Sequence, residues 1–402
     1  MSSAFIHPQE QNRFSIAWIV DKKNDLTWFI GGALAAYFMY YLHSGLHMNM
    51  VTIWFWWVVL LDTPHFFGTY LRTYLDKEEF QKRKKLLLLS LLWLLAGPAV
   101  FTVSYLLYKS GASNYKFPFF AFIMVFNIWA YWHVVRQHYG IMSLYKRKNN
   151  DFHPIDNLID KSLLYVGLLA PFIVFIFRHP DARELIGLNR NLDAFPGFSA
   201  TSIFSLNFEQ FIIVFAGFMT FLVSIAYLSR LLYLVITKQT INIPKLLFFL
   251  ALIPLYIMIN MSDAILTISL LGFSILVTIY HDIQYHAIVW YYSKNRYHKE
   301  ADSQARFGMA ARISKNLFSY FVWAIGMGII MRFAGCFLEL HPGCGPLFAS
   351  TTHPLFGEFT FQELLFSILI GIPMHHYFVD QFIWRPSRDN NLRNDLKIKT
   401  AK

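Results

Sequence analysis

The sequence has little charge for its length of 402 residues: Asp, Glu, Lys and Arg make up only 15% of it. An average soluble chain carries roughly 25%. No basic tract has the length or aromatic interleaving of a nucleic-acid-binding surface, so the net charge of +11 does not indicate nucleic acid as a partner. The first residues lack the charged segment, short apolar core and cleavage site of a signal peptide.

Thiols and organic-cofactor motifs are equally sparse. The chain has two cysteines, Cys336 and Cys344, which argues against an iron–sulfur or thiolate-copper site. It contains no flavin, nicotinamide or haem motif. A redox function would therefore need a separate electron-donor protein.

Hydrophobic residues are abundant, at 56% of the chain. Runs such as 86–108 and 265–280 are apolar on all faces, and about 20 such residues cross a bilayer. We predict an all-α fold, a polytopic membrane helix bundle with about ten transmembrane helices. The predicted spans are 27–47, 51–71, 86–108, 117–140, 161–178, 208–237, 244–261, 263–290, 315–333 and 360–384.

Lysines and arginines cluster after the second, fourth, eighth and tenth of these spans. Because basic loops stay in the cytoplasm, we expect both termini there and the protein in the cytoplasmic membrane. The predicted organisation is a cytoplasmic N-terminal segment 1–26, a single transmembrane domain 27–384 and a basic cytoplasmic tail 385–402. Cys336 and Cys344 then face outside, where either a disulfide or two unpaired thiols fit.

Four predicted spans carry histidines near the end that meets a basic loop. At 1.5 Å per residue, these histidines lie about 10–20 Å inside the cytoplasmic boundary. Ionisable side chains in a membrane are costly and by default indicate a functional site. The histidines of this layer are His65, His133, His138, His281, His286, His375 and His376.

Carboxylates accompany three of these helix ends. Asp62 precedes His65 by three residues, and the pairs Asp282–His286 and His376–Asp380 are four residues apart. Residues at these spacings share a helix face. Imidazoles beside carboxylates predict a metal site; a proton or ion pathway and a purely structural role are the alternatives.

Two histidine pairs cannot act together on a regular helix. His133 and His138 are five residues apart, as are His281 and His286, which turns them about 140° from each other. One member of each pair is then a ligand and the other a supporting residue, unless a π-bulge realigns them.

The number of candidates bears on the metal. A catalytic zinc uses three protein ligands, whereas two metal ions would use most of this set. We predict a dinuclear non-haem iron centre, with zinc as the alternative and with the carboxylates bridging the metals or orienting histidines. Five further side chains are expected to contact the substrate or support the ligands: Arg136, Gln137, Gln284, Tyr285 and Arg230.

The pattern resembles the integral-membrane histidine-box oxygenases, which include fatty-acid desaturases, alkane and sterol hydroxylases and, more distantly, membrane carotene-cleaving oxygenases. It rests on the motifs His133-x4-His138, His281-x4-His286 and His375-His376. The resemblance implies non-haem iron near the cytoplasmic face, O₂ chemistry and a lipid, hydrocarbon or isoprenoid substrate that enters from the bilayer.

Two other functions remain open at this point. A membrane-embedded zinc hydrolase of lipids would use three of the histidines and an aspartate around a zinc-bound water. A divalent metal or proton transporter would need a path to the outer face, for which His43, His47 and Asp263 are the sequence signals.

Overall fold

The computed structural model describes residues 13–192, 205–299, 302–337 and 354–398, and most of these residues are helical. Cys344 and the side chain of Cys336 lie outside this described part. The helices are α1 (Lys22–Asn24), α2 (Leu34–Ser44), α3 (Met50–Trp57), α4 (Thr63–Arg72), α5 (Lys77–Ser90), α6 (Ala96–Lys109), α7 (Phe117–Lys148), α8 (Pro154–Arg178), α9 (Pro180–Leu185), α10 (Phe208–Ile236), α11 (Ile243–Met261), α12 (Leu270–Tyr297), α13 (Ser303–Phe307), α14 (Met309–Ile313), α15 (Leu317–Phe337), α16 (Phe361–Ile383) and α17 (Asn390–Asp395).

Short irregular elements join them. π-helical turns span Asp25–Ile30 and Val58–Asp62, and 3-10 turns span Gly31–Ala33, Leu91–Leu95 and Asp263–Ile265. Strand β1 (Phe14–Ser15) pairs in parallel with β2 (Ile241–Asn242), and β3 (Pro354–Phe356) pairs antiparallel with β4 (Phe359–Thr360). The predicted all-α class is confirmed, with these two small strand pairs added.

Six of the described helical segments are long and apolar enough to cross a membrane. They are Met50–Arg72, Lys77–Lys109, Phe117–Lys148, Pro154–Arg178, Phe208–Ile236 and Ile243–Met261. A helix also occupies each of the other predicted spans, but ten crossings and cytoplasmic termini stay predictions. Helix α12 is long, yet its polar residues, among them His281, Asp282 and His286, reduce its hydropathy.

Helix α12 runs through the centre of the bundle. Most of its side chains between Gly272 and Tyr297 are buried. It contacts α2, α3, α4, α7 and α11. A helix that is buried all round can carry polar side chains only where other helices satisfy them. The polar residues of α12 therefore mark where the surrounding helices must supply partners.

The second predicted span is interrupted before its histidine. The π-helical turn Val58–Asp62 joins α3 to α4, and Pro64 lies in the first turn of α4, where a missing N–H costs little. A π turn adds a residue to the helical repeat and is frequent at functional sites. It sets the direction in which Asp62 and His65 leave the backbone.

Helix α16 approaches the α5–α6 segment closely. A Cβ on Gly97 would lie 1.8 Å from the carbonyl oxygen of Ser367, and a Cβ on Gly371 would lie 2.7 Å from the Cα of Leu94. Side chains at these positions would push the two segments apart. The glycines thus fix the position of α16, which carries His376.

We expect Gly97→Ala to lower the stability of the folded protein by about 1–3 kcal/mol or more, because the methyl group overlaps the backbone of α16. Gly140→Ala is the matched control, since nothing lies within 4 Å of its Cβ position and alanine favours a helix by about 1 kcal/mol over glycine. Thermal unfolding in detergent measures both. A Gly97→Ala protein as stable as the control would contradict this packing.

Candidate metal centre

Four histidines from four helices meet inside the bundle: His65 of α4, His133 of α7, His281 of α12 and His376 of α16. One ring nitrogen of each lies within 4.8 Å of the corresponding nitrogens of the other three. All four side chains are buried, with His133 the most exposed at 7%. The prediction that separate helices bring imidazoles to one place is confirmed for these four, which we call the four-histidine cluster.

The rings surround a common point. Their centroids are 4.8 Å apart for His65 and His376, 5.1 Å for His65 and His281, 5.0 Å for His133 and His281, and 4.9 Å for His133 and His376. The ring planes cross at angles between 65° and 90°. Such crossed rings direct nitrogens toward a shared centre instead of stacking.

Each ring has a buried nitrogen without a hydrogen-bond partner. These atoms are His65 Nε2, His133 Nε2, His281 Nδ1 and His376 Nε2. Buried polar atoms in native proteins are nearly always satisfied, and each exception needs an explanation. A metal ion at the centre of the cluster would satisfy all four atoms at once.

A carboxylate lies close to His65, although this contact does not have hydrogen-bond geometry. The Nδ1 atom of His65 lies 3.1 Å from Oδ1 of Asp282, and the indole N–H of Trp57 donates to Oδ2 of Asp282 over 2.9 Å. Asp62 lies in the same group, so that Asp62, His65 and Asp282 each offer an atom within 4.8 Å of the others. A carboxylate behind a ligand histidine fixes its ring and raises its basicity.

His376 is supported through a hydroxyl group. Its Nδ1 atom lies 2.7 Å from Oγ1 of Thr69, and that hydroxyl donates to Oδ1 of Asp380 over 2.6 Å. The Tyr285 hydroxyl also donates to this oxygen, over 3.1 Å. Because Thr69 donates its proton to Asp380, it accepts from Nδ1 of His376, which leaves the lone pair of Nε2 directed at the cluster.

The structure does not bring His138, His286 and His375 into the cluster. Both ring nitrogens of His286 have partners, the Tyr320 hydroxyl at 2.8 Å and the Leu61 carbonyl at 3.3 Å. Nε2 of His138 lies 3.0 Å from the Tyr256 hydroxyl.

His375 faces the opposite way from its neighbour His376. Its Nε2 atom contacts the Tyr74 hydroxyl at 2.8 Å and Ser90 Oγ at 3.1 Å, and its ring stacks on Tyr70. The reason is rotation along a regular helix: adjacent residues point about 100° apart and residues five apart about 140° apart. The π-bulge that would realign the pairs lies in the second span instead, before His65.

The predicted supporting residues divide into two groups. Gln137 donates to the carbonyl of His281 over 2.7 Å, and Tyr285 belongs to the Thr69–Asp380 network. Gln284 lies on the same helix as His281 but donates to the carbonyl of Phe29 over 2.9 Å.

The two predicted arginines are elsewhere. Arg136 is exposed and hydrogen-bonds Tyr165, and Arg230 forms an ion pair with Asp156 at 2.7 Å. Within the part of the chain that the structure describes, neither arginine contacts the four-histidine cluster.

Sequence reasoning missed Trp57 and Thr69. Thr69 follows His65 by four residues, a spacing that places both on one face of α4, and this signal was available. Trp57 lies before the π turn, so its approach to Asp282 depends on a local geometry that helical spacing does not contain.

We expect Thr69→Val to weaken metal binding by about 10–100-fold, because the change removes the group that orients His376 while keeping the side-chain shape. Thr220→Val is the matched control: Thr220 is also buried, and its hydroxyl bonds only its own helix, at the Ala216 carbonyl. Metal titration against a chelator measures both affinities. Equal affinities in the two variants would contradict the support role of Thr69.

Comparison with protein-family models, with curated proteins and with solved structures found no significant match to this chain. Function is therefore argued from the geometry of the four-histidine cluster itself.

Proposed function

We propose that the four-histidine cluster binds one metal ion and is the centre of an integral-membrane metalloenzyme. Two observations on the same four rings carry this proposal: each ring offers a nitrogen within 4.8 Å of the others, and each has a buried nitrogen without a hydrogen-bond partner. The supporting carboxylates Asp282 and Asp380 add to it, because such groups accompany metal-bound histidines.

The ligand set favours iron over catalytic zinc. Zinc in enzymes keeps three protein ligands and one open position, and a fourth protein ligand gives the closed arrangement of a structural site. Iron accepts more ligands than zinc, so positions for O₂ and substrate remain after four imidazoles have bound. Imidazole is a ligand that suits iron as well as zinc and copper.

One ion, instead of the two predicted from the sequence, accounts for the four imidazoles that converge. His286 has partners at both ring nitrogens, whereas His138 and His375 are bonded through Nε2 alone and lie outside the cluster. The group of Asp62, His65 and Asp282 shares His65 with the cluster and lies beside it. Its short His65–Asp282 contact is a supporting interaction for a single ion; two irons per chain remain the outcome to test against it.

We propose the reaction of a non-haem iron oxygenase on a lipid, hydrocarbon or isoprenoid substrate. Iron, when bound, would supply oxidising power by activating O₂. The chain would hold the ligand rings through Asp282, Thr69 and Asp380, and its apolar bundle would exclude bulk water.

Access from the bilayer is easiest beside His133. Its ring stacks on Tyr377 at 4.6 Å, and Tyr377 in turn contacts Trp129 and Phe126. His133 is the most exposed histidine of the cluster, at 7%, and Trp129 and Phe126 beyond Tyr377 are half-buried. An aromatic wall of this kind suits a hydrophobic substrate that enters sideways.

The proposal includes the ten crossings, the cytoplasmic termini and a site near the cytoplasmic face. It also includes a separate electron-donor protein, because the sequence has no organic redox-cofactor motif. The basic loops next to the histidine-bearing helix ends support this orientation.

The two alternative functions have less support. For a zinc hydrolase, the cluster has one imidazole more than the usual catalytic set. For a transporter, two of the three outer-face candidates have other partners: Nδ1 of His43 lies 3.0 Å from the Met48 carbonyl, and Asp263 pairs with Arg178.

We expect His376→Ala to lose the metal and His375→Ala to keep it, because only His376 directs a free nitrogen into the cluster. The pair is closely matched, since the residues are adjacent and both fully buried. Elemental mass spectrometry on protein purified anaerobically in mild detergent measures the metal content, and gel filtration checks folding.

About one iron per chain in wild type and His375→Ala, with loss in His376→Ala, is the expected result. Two irons per chain would restore the dinuclear prediction, and one zinc without iron would favour the hydrolase. Folded wild-type protein that takes up no metal under any loading condition would contradict the proposal.

A further inference from the structure

Arg72, the last residue of α4, is a buried cation without an acidic partner. Its side chain is 1% exposed, and its Nε and Nη1 atoms have no hydrogen-bond partner. Its guanidinium carbon lies 4.0 Å from the ring centroid of Trp384 and 4.4 Å from that of Tyr292. The aromatic rings thus cover the guanidinium group, while the donors at Nε and Nη1 remain unused.

The neighbouring Arg296 shows what a fully paired arginine looks like in this region. It approaches the same Tyr292 ring, at 5.9 Å, and also pairs with acids. Those partners are Asp76 at 2.9 Å, Glu78 at 3.2 Å, Asp395 at 3.3 Å and Glu79 at 3.7 Å. These four acids are therefore already paired with Arg296.

Asp380 does not neutralise Arg72 directly. Its Oδ1 atom accepts hydrogen bonds from Thr69 and Tyr285, and no ion pair between Asp380 and Arg72 occurs in the described part of the chain. A guanidinium group stays charged at all physiological pH values. Contact with aromatic faces offsets only part of the cost of burying such a charge.

Arg72 lies apart from the four-histidine cluster along the axis of α4. Arg72 follows His65 by seven residues, so it lies on the same face of α4 about 10 Å further along the axis. Tyr292 and Trp384 follow Tyr285 and Asp380 by seven and four residues on α12 and α16. The hydroxyl groups and the carboxylate of Thr69, Tyr285 and Asp380 fill the layer between Arg72 and the cluster.

We propose that Arg72, with Trp384 and Tyr292, forms a binding site for an anion bearing a carboxylate or phosphate group. Guanidinium N–H groups form strong, charge-assisted hydrogen bonds to these oxyanions. Arg136 and Arg230, which the sequence predicted to contact the substrate or support the ligands, both have other partners.

Trp384 is the half-buried residue of this site and follows the last residue of α16. Its indole N–H donates to the Tyr285 hydroxyl over 3.3 Å, so an anion that enters beside it would displace a single hydrogen bond. Two sources can supply the anion: a free ion from the aqueous side, or the acidic head group of an amphiphile in the membrane. Both present the same oxygens to Arg72.

The test uses the full chain in a non-ionic detergent, with and without bound metal. Isothermal titration calorimetry follows three probes: inorganic phosphate, acetate and hexadecanoate. Wild type should bind at least one probe saturably, and Arg72→Met should weaken that binding by about tenfold or more, because hydrogen bonds to a charged group are lost. Arg136→Met is the matched control, since Arg136 also lies against two aromatic rings but is exposed.

The outcomes separate the sources and the two proposals. Binding of phosphate or acetate identifies a free anion, and binding of hexadecanoate alone identifies a head group. Metal-free and metal-loaded protein are expected to bind the anion equally well. Anion binding can therefore be observed even if the metal proposal fails. If Arg72→Met does not fold, Arg72→Lys replaces it, because it keeps the charge but lacks the planar N–H groups. No saturable binding, or unchanged affinity in both Arg72 variants, would overturn the proposal.

Discussion

Four histidines with partnerless ring nitrogens meet inside an apolar bundle, and the proposed metal ion would be their common partner. A neutral imidazole has only one N–H to donate, so a ring that donates outward turns a lone pair inward. His376 is held in this way by Thr69 and Asp380, and Asp282 lies 3.1 Å from His65. Supported rings with free inner nitrogens are expected of a metal centre and not of structural glue.

Helices α4, α12 and α16 each carry polar residues at helical spacing, and these residues form successive layers that begin at the four-histidine cluster. On α4, the residues His65, Thr69 and Arg72 repeat at helical spacing, and α12 and α16 match them layer by layer. The four-histidine cluster is followed by the layer of Thr69, Tyr285 and Asp380, and then by the buried guanidinium group of Arg72. Changing the position of any one of these helices would misalign all three layers, which explains the close glycine contacts of α16.

Much of this was predictable from the sequence. Long apolar runs placed a helix in every predicted span, and the histidines on four of them identified the right region. The sequence did not show which histidines converge, because that depends on the rotation of each helix about its axis. The π turn Val58–Asp62 alters this rotation, and contacts such as Trp57 with Asp282 join residues far apart in the chain. Three of the seven candidate histidines therefore lie outside the four-histidine cluster, and the number of metal ions stays a prediction.

X-ray absorption spectroscopy of the metal-loaded protein tests the central claim most directly, since it reports the ligand atoms around the bound ion. The account predicts a first shell dominated by imidazole nitrogens, with the outer-shell scattering that several rigid rings produce. It also predicts no sulfur ligand and no second metal at bonding range. A shell made mainly of carboxylate oxygens, or a clear metal–metal distance, would contradict a single ion held by His65, His133, His281 and His376.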